Sequence, residues 1–276
     1  MKRRNAIWVF SDVLVAFFCL VFMYPMLIGL MNSFKPRTEI VLHPLELMPE
    51  KLSFDSYLFT FVEMKYIEKF FNSFFITVCS VALIILFSSM AAYKLTRENT
   101  RLSEWLFRGI ISFMLVPFQC TMLPLMVTMS RTGLIDTHTG MIIGYLGFQC
   151  PFAVFLYHAY FKTIPMVLDE SAKIDGCSTL RLFYTIIFPL ALPMTATIII
   201  LNVLTVWNDY LFPMIMLTSM DKRTLVTGLV AFSAIRMKQW DKLLTGTILV
   251  ALPILSLYIF MQRHIINGMV SGALKE

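Results

Sequence analysis

Six stretches of this chain run for 20 residues or more almost without charge, and that feature limits the fold more than any other. They occupy residues 13–34, 70–93, 109–130, 137–161, 182–220 and 243–262, and the only Asp, Glu, Lys or Arg among them is Asp209. A helix rises about 1.5 Å per residue, so about 20 apolar residues cross a hydrocarbon core about 30 Å thick. Backbone polar groups find no water in lipid, which leaves helices and closed barrels as spanning structures. These runs lack the alternation over roughly ten residues that a barrel strand needs. The fold expected is therefore an all-α membrane protein with six transmembrane helices. The fifth run is too long for one span, and Pro189 and Pro193 in its first third would end one helix and open another. A single transmembrane domain over residues 1–276 is expected, with spans near 8–34, 70–93, 108–130, 139–161, 192–217 and 243–262.

Composition narrows the function. Hydrophobic residues make up 58% of the chain and charged residues 14%, more apolar surface than a water-soluble fold of 276 residues buries, so lipid must cover it. The net charge of +6 comes from short clusters between apolar runs, with no basic stripe, and this argues against nucleic acid as a partner. The five cysteines form no CxxC pair and four lie inside apolar runs, so neither a disulfide framework nor a metal site is expected; the four histidines lack ligand spacing. Met1-Lys2-Arg3-Arg4 before an apolar run has the look of a secretory signal. The uncharged run to Phe34 exceeds the roughly 7 to 15 residues of a signal core, however, and no small-x-small site precedes Lys35. It is expected to stay as the first span. Lys and Arg are densest in residues 1–7, 94–108 and 162–181, which favours cytoplasmic N- and C-termini.

Between the fourth and fifth spans, residues 165–189 combine charge with apolar periodicity. Leu168 and Ala172, with Val167 or Ile174, can share one face of a short helix, and Asp169 and Glu170 fall in its first turns, where the dipole favours anions. Gly176 can take the left-handed conformation that stops a helix, and Ser178 offers an N-cap for the next one. A helix–glycine–helix elbow is expected on the cytoplasmic side.

Glu170-Ser171-Ala172, then Asp175-Gly176, then Ile187, Pro189 and Pro193 resemble the EAA loop of the membrane subunits of binding-protein-dependent ABC importers. Ser171 stands where that family usually has Ala. Further segments resemble the carbohydrate branch of the family, in particular its second permease: Tyr24-Pro25-Met26, Ser33-Phe34-Lys35-Pro36, Phe71-Asn72-Ser73, residues 207–213 from Trp207 to Pro213, and a tail from Gly268 to Lys275. The resemblance implies a type I importer permease in a bacterial or archaeal plasma membrane. Its coupling helix, through Glu170, Ser171, Ala172, Asp175 and Gly176, would dock on a homodimeric ATPase. Its other partners would be a second permease subunit and a solute-binding protein. Ser271, Gly272 and Lys275 would form a further ATPase contact from the tail.

No GxxxxGK[ST] phosphate loop occurs, so ATP is expected to be bound and hydrolysed by a partner chain, with no enzymatic activity and no cofactor in this one. Asp209, with Asn208 beside it, is the sharpest polar pair within a span. It either lines the translocation path or holds structure by hydrogen bonding with Asn208. The solute expected is a sugar or oligosaccharide, the alternative another small polar solute such as a sugar alcohol or glycerol phosphate. An ion-driven secondary transporter would need duplicated halves and more buried acids than Asp12 and Asp209. No HExxH or GxSxG motif marks a membrane enzyme.

Overall fold

The computed structural model describes residues 6–98, 100–236 and 239–273, and of residues 6–9 and 261–273 only the backbone course. The described residues form helices joined by short loops, with no strand among them. They gather into two compact units, one of residues up to Ile67 with Gly228–Pro253, the other of Glu68–Thr227 with the chain from Ile254 on.

In the first unit, α1 (Ala6–Asn32) is followed by the short helices α2 (Arg37–Leu42) and α3 (Asp55–Glu63). The apolar stretch of α1 is exposed along its length, and only Asn32 at its end is buried, donating to the Pro44 carbonyl (2.8 Å). The loop after it is tied by a buried lysine: Lys35 Nζ donates to the carbonyls of His43 and Glu46, which answers its positive charge with two dipoles. Ser56 Oγ donates to Asp241 Oδ2 (3.0 Å) and Thr245 Oγ1 to the Ser33 carbonyl (3.2 Å), fixing the first turns of α14 (Trp240–Ala273) in the same unit.

The second unit is organised on α4 (Tyr66–Arg97) and α7 (His138–Phe161), both long and apolar enough to span. The third charge-free run does not form one straight helix. It is split into α5 (Arg101–Ser112), a single 3-10 turn at Phe113–Leu115, and α6 (Phe118–Arg131), with a bend of 103°. Pro117 explains the break: it has no N–H to donate, and it drives Val116 into an extended conformation with ψ 115°.

After α7 come α8 (Val167–Ile174), α9 (Thr179–Leu182), a π-helical turn at Phe183–Ile187 and α10 (Phe188–Leu190). A bend of 77° then opens α11 (Leu192–Asn208), with Pro193 in its first turn as the prolines suggest. Where the sequence reading runs this span on to Leu217, the helix stops at Asn208, Asp209 is extended, and α12 (Leu211–Met216) begins afresh. Pro213 gives the reason, since in a continuous helix its ring would collide with the carbonyl of Asp209, four residues back. The last helices are α13 (Leu225–Ile235) and α14.

Two buried clusters hold this second unit. One joins Ile84, Val154, Tyr157, Phe161, Leu182, Phe183 and Ile198; the other joins Ile76, Met129, Met141, Tyr145, Phe212 and Met216. The second relies on Gly144, where an added Cβ would lie 2.2 Å from the ring of Phe212.

Candidate functional site

The elbow after α7 forms as the sequence suggests, and its geometry is that of a complete helix stop. Gly176 has φ +72°; its N–H donates to the Lys173 carbonyl (3.0 Å) and the Cys177 N–H to the Ala172 carbonyl (2.9 Å). Ser178 then caps α9, its side chain accepting from the Arg181 N–H. One helix is thus ended and the next begun across the four residues from Asp175 to Ser178.

The faces of α8 divide differently from the sequence reading. Ala172 is buried in the core cluster and turns away from the surface. Val167 and Ile174, at 64% and 86% exposure, stand open beside Glu170, Ser171, Lys173 and Asp175. Ser171 Oγ is occupied within its own helix, donating to the Val167 carbonyl (2.8 Å). The surface that a partner would meet is therefore apolar with a charged border. Asp169, read from sequence as a dipole partner, is 2% exposed and engaged elsewhere. Tyr93 Oη donates to its Oδ1 (2.6 Å), Arg97 Nε donates to the same oxygen (3.1 Å), and Arg97 Nη2 stands 2.9 Å from Oδ2, an ion-pair distance at an angle poor for a hydrogen bond.

A second feature lies at the break between α11 and α12. Asp209 Oδ1 accepts the Leu211 N–H (3.0 Å), one of the donors freed by the break, and Tyr145 Oη donates to Oδ2 (3.0 Å). Asn208 takes no part: its amide donates to the Leu204 carbonyl of its own helix (2.9 Å), so the pairing of Asp209 with Asn208 gives way to one with Tyr145. Asp209 also borders a cavity of about 370 Å³, whose wall includes Gln119, Gln149 and Thr205. The rings of Phe118, Phe148 and Phe212 also face it, and among the described residues no lysine, arginine or histidine lines it. Gln119 and Gln149 were legible as polar residues inside charge-free runs, but only the fold brings them to Asp209. Ser271 and Gly272 fall on the backbone of α14 without described side chains, and Lys275 lies outside the described residues. No cluster of three or more His, Cys, Asp or Glu that could hold a metal occurs among the described residues.

Comparison with known proteins bears on the chain as a whole. The family model described as "Binding-protein-dependent transport system inner membrane component" matches residues 84–269. The chain is 36% identical over 257 residues, 93% of each sequence, to the probable starch degradation products transport system permease protein AmyC of Thermoanaerobacterium thermosulfurigenes. It is 33% identical, over the full length of both, to the arabinooligosaccharides transport system permease protein AraQ of Halalkalibacterium halodurans. In fold it resembles a chain from the crystal structure of a bacterial ABC transporter involved in the import of the acidic polysaccharide alginate. The TM-score is 0.82 at 24% identity, covering 95% of this chain and 98% of that one.

Proposed function

Because the chain belongs to the family of binding-protein-dependent transport system inner membrane components, we propose that it forms half of the translocation pathway of an ATP-driven importer for neutral sugars or oligosaccharides. It is a multi-pass membrane protein, and in this reading it pairs with a second permease and receives solute from a binding protein. A separate ATPase pair docks on α8, which puts that helix and both termini on the cytoplasmic side.

The observation that carries the reading is the surface of α8. A short helix closed at one end by a full stop and anchored inward by Asp169 and Ala172 leaves Val167 and Ile174 bare in water. Apolar side chains displayed on so rigid a mount suit a partner's groove. The relatives' names, for starch degradation products and arabinooligosaccharides, favour a carbohydrate. The cavity beside Asp209 favours a neutral one. Amide, hydroxyl and carboxylate groups can hydrogen-bond sugar hydroxyls and aromatic rings can face the sugar's apolar sides, whereas an acidic sugar would meet the Asp209 carboxylate with no cation among the described wall residues to balance it.

The test is to disturb the elbow in the assembled importer. A Cβ at Gly176 would meet no atom within 4 Å, so Gly176→Val acts through backbone strain alone, roughly 1–2 kcal/mol against the left-handed turn. Glu170→Lys reverses a charge at the helix start, where the dipole accounts for about 0.3–1 kcal/mol. Both variants should reach the membrane at the normal level and lose sugar uptake, substrate-stimulated ATP hydrolysis or the co-purifying ATPase. Normal uptake by both, with the ATPase still attached, would reduce α8 to a surface turn.

A further inference from the structure

The docking face of α8 has a counterpart on the opposite side of the same helix. Asp169 is buried there among groups that come from α4 and from the end of α7. Tyr93 and Arg97 lie one helical turn apart at the end of α4, so both side chains leave the helix on one face. Tyr93 and Arg97 Nε meet at Asp169 Oδ1 while Arg97 Nη2 pairs with Oδ2. The remaining Arg97 donors turn to the chain before α8: Nη1 and Nη2 each reach the Ile164 carbonyl at 3.2 Å. One guanidinium therefore joins α4, the link after α7, and α8. The ring of Tyr93 is itself wedged against Phe161 and Phe183, with centroids 6.0 and 5.3 Å away, so it cannot swing aside without disturbing the core.

We propose that Tyr93 and Arg97 are positioning residues that latch α8 to α4 through Asp169, so that a displacement of α8 by the ATPase moves α4 as one body. This rests on the docking role of α8 proposed above. The main chain offers a looser route, since residues 162–166 between α7 and α8 include Pro165 and end α7 without a continuous helix. The latch pins this link at Ile164 and also grips α8 directly at Asp169. α4 runs unbroken for 32 residues, and near its other end Asn72 Nδ2 donates to the carbonyls of Asp221 (2.6 Å) and Arg223 (3.1 Å), while Ser73 Oγ accepts the Leu225 N–H (2.8 Å). Movement entering at Asp169 thus has a rigid path to the loop between α12 and α13.

The experiment uses the complete importer in proteoliposomes, with its partner permease, ATPase and binding protein. It compares Asp169→Asn, Asp169→Glu and Tyr93→Phe with the wild type. Asp169→Asn keeps the shape and removes the charge, and Tyr93→Phe removes one hydrogen bond and leaves the ion pair, so at least one variant folds even if the other does not. The latch predicts that the ATPase co-purifies normally while the solute moved per ATP hydrolysed falls about tenfold in Asp169→Asn, what loss of one charge-assisted hydrogen bond from a two-state equilibrium gives. Tyr93→Phe should fall less, and Asp169→Glu should recover part of the loss. Asp221→Cys, in a background lacking the native cysteines, should also lose its ATP-dependent change in labelling when combined with Asp169→Asn, a readout that mere loss of stability does not move. An unchanged transport ratio and unchanged labelling in variants at wild-type abundance would overturn the latch. So would loss of the ATPase from Asp169→Asn, which would mean that Asp169 serves to hold the docking face in place and not to carry its motion. Normal uptake by Glu170→Lys would instead remove the docking role of α8, and the latch's function with it, whatever Asp169→Asn does.

Discussion

Two aspartates at opposite ends of the second unit do similar work in different solvents. Asp169 binds a helix to a helix and is shut away from water; Asp136 binds a loop to a loop and keeps a side chain 21% exposed. At Asp136 the carboxylate gathers the backbone N–H groups of Thr218 (3.0 Å) and Ser219 (2.9 Å), the Ser219 hydroxyl and the Lys222 ammonium (3.1 Å). Asp136 itself sits at φ +56°, a conformation aspartate tolerates better than most side chains. Its partners, two amides, a hydroxyl and an ammonium, all come from the one short segment Thr218 to Lys222, and Lys222 is held again by the Asp136 carbonyl. Asp169 depends instead on one cation more than 70 residues away in sequence. A buried carboxylate with a single charged partner has no substitute for that partner, whereas a half-exposed one has water.

The difference is open to a direct comparison of Arg97→Met with Lys222→Met. Removing Arg97 leaves Asp169 buried without its charged partner, which costs about 3–5 kcal/mol, enough to lower the amount of folded chain. Removing Lys222 leaves a carboxylate still served by amides and water, and costs about 1 kcal/mol or less. Thermal unfolding of the two detergent-solubilised variants, followed by loss of the monodisperse peak, would measure both. Equal losses would erase the distinction between the two ends. The double variant Arg97→Met with Asp169→Leu should be less harmed than Arg97→Met alone, because it removes the stranded charge together with its partner.

These contrasts also mark what can be read from the sequence. The charge-free runs, Gly176 as a helix stop, Ser178 as a cap and Pro193 at the opening of α11 are local signals, each acting within a few residues of itself, and each is seen in the structure. Pro117 and Pro213 are just as local, yet their breaks lie inside apolar runs where hydropathy reports only that the segment prefers lipid. Asp169 is the instructive case. Its position in the first turn of α8 makes a dipole interaction a sufficient local account, and nothing near it in sequence announces Arg97. The same holds for Tyr145, Gln119 and Gln149 around Asp209, which only the packing of α6, α7 and α11 brings together.

The smallest effect separates the two carboxylates by pH. Burial alone would raise the Asp136 carboxyl, but the Ser219 hydroxyl and amide and the Lys222 ammonium outweigh it and hold the group well below the usual carboxylate range. The folded state thus binds a proton less readily than the unfolded chain, whose aspartates titrate near pH 3.9. The stabilisation from Asp136 is accordingly complete above that pH, and it is lost as the pH falls through the ordinary carboxylate range toward the folded value. Asp136→Asn should cost about 1 kcal/mol at pH 7, the scale of a hydrogen bond partly open to water, and progressively less below about pH 4. The loop from Thr218 to Lys222 reports this locally. Proteolysis there should be faster in Asp136→Asn than in wild type at pH 7, and the gap should narrow on acidification. A gap that stays constant from pH 4 down to pH 2 would mean that shape at Asp136, and not its charge, holds the loop, and the contrast with Asp169 would then rest on burial alone.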